Sequence, residues 1–126
     1  MSNKLYNIGA YGIPTATRLA VAKWRIDRLR WSSHAIAEAR KLVNNGLVSP
    51  DSIPTTFSGD DEEWQLVEVE TNQLEYPVKI LVRRKVNAQW TLVLIIDDEA
   101  NVRTCWANLN TDNHRTLDKS KFNCPL

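Results

Sequence analysis

The sequence contains few of the residues that form cofactor, metal and disulfide sites. Its 126 residues include only four glycines, two cysteines and two histidines. The phosphate-binding patterns GxxxxGK[ST] and GxGxxG are absent, as are the catalytic patterns HExxH and GxSxG. Cys105 and Cys124 do not have metal-ligand spacing, and the sequence leaves open whether they form a disulfide. We therefore expect no cofactor and no bound metal.

Long hydrophobic segments are also missing. The longest apolar run lies within Trp90–Ile96, far shorter than the ~20 residues that a membrane-spanning helix needs. Residues 1–10 do not show the basic and then apolar order of a secretory signal. We therefore expect a cytoplasmic protein without a membrane partner. Hydrophobic residues make up 43% of the chain, which predicts one packed domain over residues 1–126.

Positive and negative charges are separated along the chain, although the formal net charge is only +1. Residues 1–50 hold eight bases and two acids, residues 51–75 hold eight acids and no base, and residues 76–126 hold eight bases and five acids. This separation can produce a basic face on a nearly neutral protein. It is equally consistent with an acidic loop and strand that pair internally with the basic segment.

The first half of the sequence predicts an irregular lead-in over residues 1–13 and then two helices. A helical apolar spacing covers residues 14–31, and the other faces of that helix carry five bases. These bases are Arg18, Lys23, Arg25, Arg28 and Arg30. The second helix begins near Ser32, a good N-cap, so that residues 14–47 are predicted to be helical.

The second half predicts a sheet over residues 64–107 and a polar tail over residues 108–126. Four segments have the β-branched and apolar composition of strands and are joined by turns. They are Trp64–Glu70, Val78–Val86, Trp90–Ile96 and Val102–Ala107. The predicted fold class is therefore α+β, with two N-terminal helices packed on an antiparallel sheet of three to four strands.

Two histidines and four bases in predicted strands are the residues that the sequence singles out for chemistry. Histidine is the usual acid–base group near neutral pH, so the candidates are His34 and His114. His34 falls in the first turn of the second helix, away from the predicted core stripe, and His114 lies in the polar tail. A basic sheet face opposite the helices would suit phosphate, and the bases in predicted strands that could form it are Arg83, Arg84, Lys85 and Arg103. An ordinary surface position is the competing interpretation for each of these residues.

Two stretches resemble the small endoribonuclease-toxin domains of the RelE/barnase–colicin superfamily (BECR fold), known from phages and bacterial polymorphic toxins. The first stretch is SSHAIAEAR, a helix that begins Ser-x-His and carries an arginine six residues after the histidine. The second is RTCWANLNTDNHRTLDKSKF, in which Trp-x-Asn at residues 106–108 is followed by Asp-x-His-x-Thr-Leu-Asp-x-Ser-x-aromatic. Phe122 stands where a tyrosine is usual in that pattern.

The resemblance implies a metal-independent endoribonuclease. In this reaction the ribose 2′-hydroxyl attacks the adjacent phosphate and leaves a 2′,3′-cyclic phosphate, which requires an acid, a base and positive charge. The implied acid–base pair is His34 and His114. Arg103 would stabilise the phosphate, and Thr104 and Thr116 would position it. The substrate, mRNA or tRNA, would be bound by Arg18, Lys23, Arg25, Arg28, Arg30, Arg83, Asn108 and Lys121.

The resemblance also implies a partner that restrains the enzyme, either a cognate antitoxin or immunity protein or a host protein. Other interpretations remain open. The chain could be a non-catalytic accessory protein of a phage or mobile element that binds nucleic acid, or one that binds a host protein through its acidic run and tryptophans. A further alternative gives all of the chemistry to the tail and leaves His34 structural. The lack of a strongly acidic net charge argues against an antitoxin.

Overall fold

The protein, seen in a computed structural model, is built around a mixed β-sheet. The structure describes residues 3–8 and 12–111. In these ranges the chain forms two α-helices, a short 3₁₀ helix and eight strands. They are β1 (Lys4–Asn7), α1 (Thr15–Ala22), β2 (Arg25–Ile26), β3 (Arg30–Trp31), α2 (Ser33–Asn44), the 3₁₀ helix (Pro50–Ser52), β4 (Phe57–Ser58), β5 (Gln65–Thr71), β6 (Pro77–Lys85), β7 (Trp90–Asp97) and β8 (Asn101–Leu109).

Six of the described strands form one sheet in the order β1-β5-β6-β7-β8-β3, and β2 pairs with β4 in a separate sheet. Strands β5 to β8 form an antiparallel meander, and β1 joins it antiparallel to β5. At the opposite edge, β3 runs parallel to β8, with Arg30 opposite Asn101 and Trp31 opposite Val102. The strands predicted over residues 64–107 are confirmed as β5 to β8.

The predicted fold class is wrong, because the described chain has a six-stranded mixed sheet and a second sheet instead of three to four antiparallel strands. The lead-in predicted to be irregular contains β1, and the helix predicted over 14–31 ends at Ala22. Beyond Ala22 the chain forms β2 and β3, each of two residues. Residues 25–26 and 30–31 pair with β4 and β8, and this pairing outweighs the helical spacing of the local sequence. Because the partner strands are far along the chain, the neighbouring residues do not indicate the pairing.

Helix α2 begins where its cap residue predicts. Ser32 Oγ accepts a hydrogen bond from the Ala35 N–H at 3.0 Å, which satisfies one of the free donors in the first turn. Ala35 and Ala39 are buried, and the small side chains let the helix approach the sheet closely. Neither α-helix in the described part of the chain is long and apolar enough to cross a membrane.

The central strand β7 is buried on both sides, as its continuous apolar run predicts. Leu92, Leu94 and Ile96 face the helices and belong to the main core, and we call this side the first face of the sheet. Val93 and Ile95 point the other way and form a second cluster with Val67 and Leu81, on what we call the second face. Among the described residues, Ile8 and Trp106 pack against that second cluster.

Gly59, just after β4, lies where the chain passes closest to α1. Its N–H donates a hydrogen bond to the Trp24 carbonyl at 2.9 Å. A Cβ atom at this position would lie only 1.8 Å from the carbonyl oxygen of Val21. Because this neighbour is backbone, it cannot rotate away, and only glycine fits here without a shift of the chain.

Candidate functional site

Three of the predicted catalytic residues meet at one edge of the described sheet. His34 lies in the first turn of α2, and Arg103 and Thr104 lie on β8. His34 Nε2 is 3.3 Å from Thr104 Oγ1, although the two residues are 70 positions apart. The N-cap hydroxyl of Ser32 donates to the Arg103 carbonyl at 3.3 Å. The start of α2 is therefore fixed against β8 at the point where His34 reaches Thr104.

The two members of this contact differ in exposure. Thr104 is 5% exposed, whereas His34 is exposed, as its position off the core stripe predicts. Among residues 3–8 and 12–111, the other ring nitrogen, His34 Nδ1, has no hydrogen-bond partner. A buried hydroxyl thus holds one nitrogen of an imidazole whose other nitrogen is available to a ligand. This arrangement suits a proton transfer group that must keep a fixed orientation.

Arg103 lies in a β-bulge beside this pair. The register of β7 and β8 shifts between the pairs Ile95–Thr104 and Ile96–Val102, so that Arg103 is the extra residue. Bulges redirect side chains and are common next to functional sites. Arg103 Nη1 lies 3.5 Å from Asp97 Oδ2, and its side chain is still 54% exposed. The guanidinium is therefore tethered near Thr104 and remains accessible to an anion.

Asp97, at the end of β7, organises the turn into β8. It accepts hydrogen bonds from the Glu99 N–H at 2.9 Å, the Asn101 N–H at 3.0 Å and Asn101 Nδ2 at 3.1 Å. Burial by itself would raise the pKa of Asp97, but these hydrogen bonds and the charge of Arg103 outweigh it. The pKa of Asp97 is therefore lowered from its ordinary value, and the carboxylate stays ionised.

Asp97→Ala is expected to lower the free energy of unfolding by about 2 kcal/mol at neutral pH, because the N–H groups of Glu99 and Asn101 lose a charged, buried acceptor. The lowered pKa stabilises the folded state fully above the unfolded-state value of about 3.9. That contribution is lost as the pH falls through the folded-state pKa. Urea denaturation at a series of pH values, from neutral to acidic, gives the free energy of unfolding of both proteins. The difference between wild type and Asp97→Ala should become smaller as the pH falls.

Asp98→Ala is the matched control, since Asp98 is an exposed neighbour in the same turn. Its effect on the free energy of unfolding should stay within about 0.5 kcal/mol. An equal loss in both variants would contradict the role assigned to Asp97.

Register places further predicted residues on the same face as Thr104. Since Thr104 is opposite Ile95 of the second cluster, residues two and four positions along β8 share its face. Three rows cross β8, β7 and β6 on this second face: Thr104–Ile95–Leu81, Trp106–Val93–Arg83 and Asn108–Thr91–Lys85. The predicted binding residues Arg83 and Asn108 therefore lie on one sheet face with Thr104.

Arg84 lies on the opposite, first face. Its guanidinium stacks over the Trp64 ring at 4.4 Å from the centroid and donates to the Ser52 carbonyl at 3.0 Å. The run of three bases in β6 is thus divided by the alternation of the strand. Only Arg83 and Lys85 of the three contribute to the second face.

The five bases predicted on one helix do not form a single basic surface. Arg18 and Lys23 belong to α1 and its C-cap, Arg25 to β2, Arg28 to the following loop and Arg30 to β3. The prediction of a basic helix over residues 14–31 is therefore wrong. The physical reason is the same remote strand pairing that ends α1 early.

Three of these bases are engaged within the protein. Arg18 Nε donates to the Ile13 carbonyl at 3.2 Å. Arg25 forms an ion pair with Asp60 at 2.8 Å, and Arg30 Nη2 donates to the Glu99 carbonyl at 2.5 Å. The Asp60 carboxylate also accepts from Ser58 Oγ, and this hydrogen bond, more than the charge of Arg25, lowers the pKa of Asp60. The contact with Arg25 supports the interpretation in which acidic and basic segments pair internally.

The remaining predicted site residues, His114, Thr116 and Lys121, lie outside the described residues. Sequence reasoning missed Asp97, and it named Lys85 only as one of three adjacent bases in a strand. Asp97 had a detectable signal, since an aspartate at the start of a polar turn commonly binds backbone N–H groups two residues on. Lys85 had no separate signal, because the composition of β6 does not reveal which of its bases share a face.

Cys105, on the first face of β8, has a free thiol in the described part of the chain. Burial, with a smaller contribution from the charge of Glu38, raises the pKa of Cys105 to about 12. Since the thiolate is the reactive form, Cys105 should not react with a thiol reagent in the native protein at neutral pH. A Cys124→Ser variant isolates this thiol, and one equivalent should react only in denaturant. Rapid labelling of the native variant would contradict the buried position.

Comparison of the chain with protein-family models, with curated proteins and with solved structures found no match. The resemblance to the RelE/barnase–colicin superfamily therefore stays a prediction. Within residues 3–8 and 12–111, no group of three or more His, Cys, Asp or Glu side chains is placed to hold a metal ion.

Proposed function

We propose that this protein is an endoribonuclease of the bacterial cytoplasm, toxin-like or phage-encoded, that cleaves RNA by attack of the ribose 2′-hydroxyl. The observation that carries the proposal is the contact of His34 with Thr104, 70 positions away, with Arg103 at the next position on β8. The resemblance of the sequence assigned these same residues to the reaction. The fold brings them to one place, which supports that assignment.

Each group has a role that its surroundings suit. His34 transfers a proton at the 2′-hydroxyl or at the leaving 5′-oxygen, because its ring is exposed and histidine works near neutral pH. Thr104 is a positioning residue that holds the ring through its buried hydroxyl. Arg103 stabilises the negative charge that develops on the phosphorane, since a guanidinium can donate two parallel hydrogen bonds to phosphate.

The test is to incubate the purified protein with total RNA and with labelled tRNA in the presence of EDTA. We expect discrete fragments whose 5′ portions end in a 2′,3′-cyclic phosphate, detected by mass spectrometry. His34→Ala and His114→Ala proteins, purified in the same way, control for contaminating ribonucleases. Intact RNA, or fragments ending in a 3′-hydroxyl, would contradict the proposal.

Binding of nucleic acid without cleavage is the second candidate function. It is favoured by Arg83 and Lys85, which place positive charge on the second face at a distance from His34. Retention of RNA by a wild-type protein that yields no fragments, with the same affinity in His34→Ala, would support it over the enzyme.

A further inference from the structure

A polar cleft lies at the end of the second face that is farther from His34. Its volume is about 390 Å³, within the range of pockets that hold small ligands. Residues of β5, β6 and β7 line it, together with Asn110 beyond the end of β8. Val93, which is fully buried, and Trp106 lie on the second face between the cleft and the His34–Thr104 pair.

Positive charge dominates the lining of this cleft. Lys85 is exposed at the end of β6 and has no ion pair or side-chain hydrogen bond among the described residues. Arg83 is oriented by a hydrogen bond from its Nε to Gln65 Oε1. These two residues place two cations at the cleft, against one acid, Glu63. Arg84 also lines it, but its guanidinium lies on the first face over Trp64. The balance favours an anionic ligand.

The polar wall of the cleft is held in place by hydrogen bonds. Thr91, which is 3% exposed, donates from Oγ1 to Asn110 Oδ1 at 2.6 Å. Asn110 Nδ2 in turn donates to the Asn87 carbonyl at 3.0 Å. These hydrogen bonds orient Thr91 and Asn110 in the wall of the cleft, so that a ligand would meet polar groups already in place.

The cleft is too far from His34 for one phosphate to contact both. Lys85 is opposite Thr91, Thr91 is opposite Asn108, and Thr104 lies four residues further along β8. With strand spacings of about 4.8 Å and a rise of about 3.3 Å per residue, the Cα atoms of Lys85 and Thr104 are roughly 16 Å apart. A ligand that uses both places must carry repeated negative charges.

We propose that this cleft binds a second backbone phosphate of the RNA strand whose scissile phosphate lies at His34 and Thr104. The proposal rests on the proposed function, and it deepens that function by naming the substrate as an oligonucleotide that spans several nucleotides. Lys85 contributes the charge, and Arg83 contributes a directed guanidinium. Val93 and Trp106 lie between the two places and make them separate subsites.

The test uses a 2′-O-methyl oligoribonucleotide, which cannot undergo 2′-hydroxyl attack, so that binding is measured independently of cleavage. Fluorescence anisotropy at several salt concentrations gives the slope of log K against log salt. Loss of one phosphate contact on a single strand should reduce the magnitude of that slope by about 0.7. We expect this reduction for Lys85→Gln, and a further loss of affinity for Lys85→Glu.

Lys41→Gln is the matched control, since Lys41 is an exposed lysine on α2 outside the cleft. It should keep the wild-type slope. Equal slopes for Lys85→Gln and wild type would overturn the proposal. If the slope changes as expected but wild type cleaves no unmodified RNA, the cleft stands as a phosphate site and the enzyme proposal fails.

Discussion

His34→Ala is expected to lower the rate of RNA cleavage by roughly 10²–10⁴-fold, the usual contribution of a positioned acid or base. The imidazole is the transferring group, and its ring is fixed by the Thr104 hydroxyl 3.3 Å from Nε2. The measurement is the single-turnover rate on a labelled oligoribonucleotide in EDTA. Its matched control is Lys41→Ala, an exposed change on the same helix that should leave the rate unchanged.

Thr104 variants separate positioning from folding. Thr104→Val keeps the shape of the side chain and removes the hydroxyl, so we expect a lower kcat at a nearly unchanged KM. Thr104→Ser should restore kcat, because it returns the hydroxyl. Full cleavage by His34→Ala would contradict these roles and would favour the alternative in which the tail carries all of the chemistry.

Gly59→Ala is expected to destabilise the protein more than Asp97→Ala does, lowering the free energy of unfolding by roughly 3 kcal/mol or more. The added Cβ would lie 1.8 Å from the Val21 carbonyl oxygen, and the close contact is with backbone. Relief requires α1 to move away from the segment after β4, which breaks the Gly59–Trp24 hydrogen bond. The free energy of unfolding of the wild type and of Gly59→Ala is measured by urea denaturation, with tryptophan fluorescence as the signal.

Gly46→Ala provides the comparison for Gly59. Gly46 has φ +75°, and a Cβ there would meet nothing within 4 Å. Gly46→Ala should therefore lower the free energy of unfolding only by the strain of a left-handed backbone conformation at alanine, about 1–2 kcal/mol. Similar losses of free energy of unfolding in the two variants would show that α1 can move away from residue 59 at little cost. The close approach would then not require glycine at that position.

The elements that sequence could predict are those whose signals are local. Strands β5 to β8 follow from their apolar composition, and α2 follows from Ser32 and the spacing after it. Strands of two residues have too few positions to show a period, and their existence depends on partners far along the chain. The predicted basic helix failed for that reason.

The candidate site also combines a residue that the sequence could single out with contacts that the sequence could not predict. His34 could be selected because histidine is scarce and because the residue lies off the core stripe. Its contact with Thr104 could not be derived from spacing, since it depends on how α2 docks against the edge of the sheet. The bulge at Arg103 and the separation of Arg83 and Lys85 from Arg84 follow from register, which only the paired strands define.

The two edge strands also determine the order in which the protein can fold. Strands β5 to β8 pair with their neighbours in sequence, whereas Lys4 pairs with Thr71 and Arg30 with Asn101, each about 70 positions away. Closing such long loops costs entropy that is recovered only when a partner surface already exists. The meander is therefore the natural nucleus, and the N-terminal third docks afterwards. His34 belongs to the part that docks late, so any activity that depends on it returns only at the end of refolding.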